Sequence, residues 1–114
     1  MDKTSLLDII IADAYLKGVT DILLDGSAAA GKKNVFFRME GALRGYMEVP
    51  GEAAHDIIKK IKGMAGLDAE VSHIPKIGRI LFKRKGLPEL DLMVKICTSA
   101  GFGERATLRI RPTY

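Results

Sequence analysis

A stripe of apolar residues at helical spacing, Ala54, Ile57, Ile58, Ile61, Met64 and Ala65, stands between two groups of short strands. That arrangement restricts the fold more than any other feature, because such a helix must bury its stripe against a neighbouring sheet or helix. A second stripe opens the chain, where Leu6, Leu7, Ile10, Ile11, Ala14 and Tyr15 recur on one helical face. Thr4 or Ser5 can cap this first helix, and Gly18 supplies its stop. Between the helices lies a short strand at Asp21–Asp25. Val35–Met39 and Ala42–Val49 follow, joined at Glu40-Gly41, a pair suited to a tight hairpin. Gly66 closes the second helix, and the weakly periodic stretch 68–77 reads as a loop. Strands then follow at Gly78–Lys83 and Leu90–Thr98 around a Lys85-Gly86 turn, and at Ala106–Ile110. In the last of these, Leu108 and Ile110 face one way, Arg109 and Arg111 the other.

The element order is α-β-β-β-α-β-β-β. Strands in consecutive hairpin groups predict an α+β fold, a mainly antiparallel sheet with helices packed on it. The length of 114 residues suits a single domain over 1–114. The one cysteine, Cys97, excludes an intrachain disulfide and fits a reducing compartment. Its apolar neighbours make it a small core residue. The N-terminus lacks a signal-peptide plan, and the longest apolar run, Ile9–Ala12, is far short of a membrane span. These features place the chain in the cytoplasm. A net charge of +4 permits phosphate-bearing or acidic partners without selecting one.

Chemistry-bearing motifs are few. The run from Gly26 to Lys33 nearly spells a phosphate-binding loop, but Lys33 stands where a Ser or Thr would hold Mg²⁺. It also leads into Val35-Phe36-Phe37, a strand, where a phosphate loop opens a helix. A hairpin connection is the expectation. His55 and His73 form no zinc pattern, and no hydrolase signature is present. Lys59, Lys60 and Lys62 read as a wet helix face. Lys83-Arg84-Lys85 reads as a charged turn that blocks edge pairing. Without aromatics interleaved among the cations, no nucleic-acid partner is expected.

Five segments resemble one family in order along nearly the whole chain. Lys60 to Asp68, then Ile74-Pro75, then Gly78-Arg79-Ile80, are similar to R-I-K-x-M-A-G-L-D followed by L-P-Q-D-G-R-I of the type II secretion and type IV pilus assembly ATPases. Thr20 to Asp25 resembles S-D-I-H-L-E, and Arg38 to Arg44 resembles R-I-D-G-x-L-R. Thr98, Gly103-Glu104-Arg105 and Leu108-Arg109-Ile110 resemble the closing T-x-P, G-E-K/R and L-R-I.

The resemblance implies a PAS-like N-terminal domain that precedes a RecA-like motor domain in a cytoplasmic hexameric ring, peripheral at the inner membrane through its partners. It implies no catalytic residue and no cofactor in this chain, with ATP and Mg²⁺ belonging to the absent motor. The implied partners are the motor domain of the same or a neighbouring subunit and the inner-membrane platform proteins, without direct membrane insertion. Arg38, Arg44, Arg79 and Arg109 stand at the family's arginine positions, so the resemblance marks them as nucleotide-sensing candidates. A guanidinium is permanently charged and offers a planar fork suited to phosphate oxygens. Several positions depart from the pattern. Leu23 replaces a His, Lys76-Ile77 replaces Gln-Asp, Lys95 replaces an Arg, and Ala100 replaces a Pro in a shortened loop. The competing reading is a freestanding PAS-like module that binds a ligand or partner without any motor.

Overall fold

Ser5, one of the two residues suited to cap the first helix, starts it: its hydroxyl oxygen accepts the Asp8 backbone N–H at 3.2 Å. The computed structural model describes residues 5–26, 32–70, 74–98 and 103–112. The two helices are α1 (Leu6–Leu16) and α2 (Gly51–Met64). The strands are β1 (Asp21–Asp25), β2 (Val35–Met39), β3 (Ala42–Met47), β4 (Lys76–Phe82), β5 (Leu90–Thr98) and β6 (Glu104–Pro112). This is the expected α-β-β-β-α-β-β-β order and α+β class.

All the strands join in one sheet of order β3-β2-β1-β6-β5-β4, and every neighbouring pair is antiparallel. Helix α2 therefore links the two edge strands across the sheet. Both helices cover the same face. Leu7 and Ile10 of α1 meet Ile57 and Ile61 of α2 over Ile22 and Leu108, and the space left among them is about 10 Å³. That is room for about one water, not for a ligand.

Two backbone features shape the frame. Glu40 (φ 52) and Gly41 (φ 80) are both left-handed, the conformation a two-residue type I′ hairpin needs. At Gly78, an added Cβ would lie 3.0 Å from the Ala65 Cβ and 3.1 Å from its carbonyl oxygen, so only glycine lets β4 lie this close to the end of α2.

Four expectations need correction. Strand β4 begins at Lys76, inside the stretch read as loop, because Lys76 and Ile77 pair with Ile96 and Lys95. Lys76 Nζ also donates to the carbonyls of Asp68 and Glu70, which holds the preceding segment against the strand. Strand β3 ends at Met47, since Val49 leaves the ladder to bond the Asn34 side chain. Cys97 is half-buried rather than core, because β5 alternates and Ile96 takes the inner face. Lys62 is not wet: it is 3% exposed and paired with Glu104.

Helix α1 is tied to the β2–β3 hairpin by a polar contact. The Tyr46 ring stacks on Phe37 with centroids 3.9 Å apart, and its hydroxyl donates to Asp13 Oδ2 at 2.6 Å. Lys17 Nζ donates to the same oxygen at 2.7 Å. The Lys17 bond first, and the Tyr46 bond second, hold the Asp13 carboxyl below its ordinary range. The bond to Asp13, with burial adding to it, pushes Tyr46 up to about 12. Asp13 thus adds stability that is complete above its unfolded pKa of about 3.9 and fades as pH falls through the lower folded value. Tyr46 adds stability that is complete below about pH 10 and is lost as pH rises toward 12. In Tyr46→Phe, the Asp13 carboxyl resonance is expected to titrate at higher pH, and the alkaline loss of stability should flatten. An Asp13 midpoint that does not move would separate the two groups.

Candidate functional site

Strict alternation gives the sheet an outer face away from the helices. There β6 presents Arg105, Thr107, Arg109 and Arg111, while β5 presents Asp91, Met93, Lys95 and Cys97. Strand register then sets three of the four sequence-selected arginines in one line. Arg79 of β4 pairs with Met93, Met93 with Arg109, Arg109 with Asp21, and Asp21 with Arg38. At about 4.8 Å per strand, Arg79 and Arg38 stand roughly 19 Å apart with Arg109 midway. Arg44 lies elsewhere. It pairs with Phe37, whose ring is on the buried face, so it belongs to the other side of edge strand β3.

Each arginine of the line rests on a carboxylate. Arg79 donates through Nε and Nη2 to both oxygens of Asp91, at 2.7 and 2.9 Å. Those bonds hold Asp91 below the usual carboxylate range and raise Arg79 further, and the charge of Arg111 also acts on Asp91. Asp21 is 7% exposed and lies between two cations, with Arg109 Nε at 3.0 Å and Arg38 Nε at 3.8 Å. Beside Arg109 a hollow of about 200 Å³ is lined by Asp21, Met93, Lys95 and Thr107. Ile77 (68% exposed) and Leu81 (53%) flank Arg79 on the same face, giving this end of the sheet an apolar surface around its charges.

The positions that depart from the family pattern can also be placed. Leu23 lies on the outer face between Phe36 and Thr107. Ile77 is exposed next to Arg79. Lys95 borders the hollow, and Ala100 lies outside the described residues. With Ile77 where the resembled pattern has an acid, Arg79 is paired all the same, through Asp91.

The remaining motifs fall away from this face. Most of the near-phosphate loop, 27–31, is outside the described residues, while Asn34 leads directly into β2 as expected. His55 is on the exposed side of α2, and His73 is outside the described residues. Among the described residues no cluster of His, Cys, Asp or Glu could hold a metal ion. In the basic turn, Lys83 pairs with Glu89 at 3.3 Å and Arg84 Nη1 donates to the Asp8 carbonyl at 3.2 Å, which ties the turn to α1.

Sequence reasoning missed the Lys62–Glu104 pair. Lys62 Nζ lies 2.6 Å from Oε2 and 2.7 Å from Oε1, and also donates to the Ala69 carbonyl at 3.1 Å. Both residues belong to motifs quoted above, and their presence in two separate motifs was the one available signal.

No family model matches the chain. Curated relatives do. The type IV pilus assembly ATPase PilB of Myxococcus xanthus is 31% identical over 105 residues, 92% of this chain and 18% of the relative. The type II secretion system protein E of Pseudomonas aeruginosa is 36% identical over 105 residues, 92% of this chain and 20% of the relative. The chain is homologous to a short N-terminal domain of the type II secretion and type IV pilus assembly ATPases. PilB of Thermus thermophilus matches at 30% over 101 residues, 89% of this chain and 11% of the relative. The chain therefore spans a fifth or less of these secretion and pilus ATPases, and the match is to a short N-terminal, non-motor part. No helix among the described residues is long and apolar enough to cross a membrane.

Proposed function

We propose that this domain docks by its outer sheet face on the motor domain of a secretion or pilus ATPase, of its own or a neighbouring subunit, and couples nucleotide state to domain motion. The observation that carries the reading is the line Arg79–Met93–Arg109–Asp21–Arg38. Permanent cations fixed in a row by strand register, next to exposed Ile77 and Leu81, suit a partner that is apolar in part and carries phosphate nearby. ATP and Mg²⁺ would be held by the motor. An arginine presented from another domain stabilises phosphoryl charge and tells triphosphate from diphosphate. The ring, with its inner-membrane platform proteins, would hold the domain on the cytoplasmic side. The space of about 10 Å³ between helices and sheet is too small for a ligand, which tells against ligand binding inside a freestanding module but not against a module that binds a partner.

The test uses the polypeptide that joins this domain to its motor. Arg79→Ala is expected to lower ATP turnover about tenfold or more, because one phosphate-facing guanidinium is lost. The melting temperature of the isolated domain should barely change, since Arg79 is exposed. Unchanged turnover in a folded variant removes Arg79 from the mechanism.

A further inference from the structure

We infer that Asp21 is a positioning residue that parks Arg38 and Arg109 on the sheet and yields them to an incoming phosphate group. The inference deepens the functional reading above and rests on it.

The geometry divides the arginines into two kinds. Arg79 commits two nitrogens to Asp91 in a fork-on-fork pair. Arg109 meets Asp21 through Nε alone at 3.0 Å, and Arg38 stands 3.8 Å from it while its Nη1 donates to the Gly41 carbonyl at 3.4 Å. A guanidinium has five N–H donors, so both arms keep donors for a second oxyanion. The carboxylate is held from below. Its side chain is 10% exposed against 62% for Arg109 and 46% for Arg38, and Oδ2 also accepts the Thr20 hydroxyl at 3.0 Å. One negative charge lies beneath two positive ones, so the trio keeps one positive charge to offer. The hollow beside Arg109 adds Lys95 and the Thr107 hydroxyl as further donors. A phosphate entering there competes with Asp21 for Arg109. Asp21 thus fixes where the arms wait and keeps them from binding stray anions tightly.

The test titrates the 114-residue chain with inorganic tripolyphosphate and follows the arginine Nε–H resonances. The unaltered chain should bind weakly, with the Arg109 and Arg38 signals moving together. Asp21→Asn removes the competing charge at constant shape and should tighten binding roughly fivefold to tenfold. Asp25→Asn is the control. It lies on the same strand and face and pairs with Arg105 at 3.6 Å, so its effect should stay within about twofold. Three results would overturn the assignment: equal tightening in both variants, no tightening in folded Asp21→Asn, or Arg109 and Arg38 signals that ignore the anion in the unaltered chain. The last holds even if the variant does not fold. No motor domain enters these measurements. Their failure alongside an Arg79→Ala turnover defect therefore rejects the parking role alone. Moving signals with normal Arg79→Ala turnover reject the coupling reading instead.

Discussion

Glu104→Leu, with Lys62 left in place, is expected to remove about 3–5 kcal/mol of folding stability. The ammonium of Lys62 is 3% exposed and has three donors. It spends them on the two Glu104 oxygens, at 2.6 and 2.7 Å, and on the Ala69 carbonyl at 3.1 Å. Removing the carboxylate leaves a buried cation with one neutral acceptor. Against a total of about 5–15 kcal/mol for a domain of this size, that loss empties much of the native population. The double change Lys62→Met with Glu104→Leu should behave differently. It removes both charges and keeps their volume, so stability should return to within about 1–2 kcal/mol of the starting chain or exceed it. Urea unfolding of the three proteins reads both effects. A single change that costs less than about 1 kcal/mol would mean that water reaches the pair and that it is a surface bridge. The pair bolts the end of α2 to the first residue of β6, the strand that carries Arg109, so its failure would loosen the frame of the arginine line.

The elements with clear periodicity were legible, and the reason is physical. Ile57, Ile58 and Ile61 recur at helical spacing and are buried, while Leu108 and Ile110 alternate with Arg109 and Arg111 as one half-buried strand must. Glu40-Gly41 gave the hairpin because a two-residue turn needs positive φ at both positions. Lys62 was not legible. It flanks the apolar stripe one turn after Ile58, and only the partner brought across 42 residues of sequence decides whether such a lysine is wet or buried. Cys97 misled through its neighbours, since an apolar run says nothing of which face each member takes. The arginines could be picked out by resemblance, but their alignment could not. It depends on the registers of β4–β5, β5–β6, β6–β1 and β1–β2 together, and a slip of one residue in any of them would turn an arginine to the other face. Asp21 and Asp91, which settle how free each arginine is, were invisible for the same reason.

Asn34 gives the second large expected effect and was also hidden, because in sequence it is the polar end of a loop. In the fold it is 5% exposed and its amide closes the open end of the β2–β3 hairpin. Nδ2 donates to the Val49 carbonyl at 2.7 Å, and Oδ1 accepts the Val49 N–H at 2.8 Å. Val49 is itself 4% exposed, so Asn34→Ala leaves a buried N–H and a buried C=O with no partner. At about 1–3 kcal/mol for each of the two unmet groups, the expected cost is roughly 2–6 kcal/mol. Asn34→Asp separates hydrogen bonding from shape. At neutral pH its ionised carboxylate still accepts the Val49 N–H but sets a second oxygen against the Val49 carbonyl, so the variant should be at least as unstable as Asn34→Ala. Burial and that carbonyl favour the protonated acid in the folded state, so its pKa there exceeds the unfolded value. The stability deficit of Asn34→Asp relative to the original chain should therefore shrink as pH falls through that raised pKa, when the acid O–H can donate to Val49 as the amide did. A deficit that is the same at every pH would mean that packing, and not the paired hydrogen bonds, holds Val49 against Asn34 and keeps the strand of Arg38 in register.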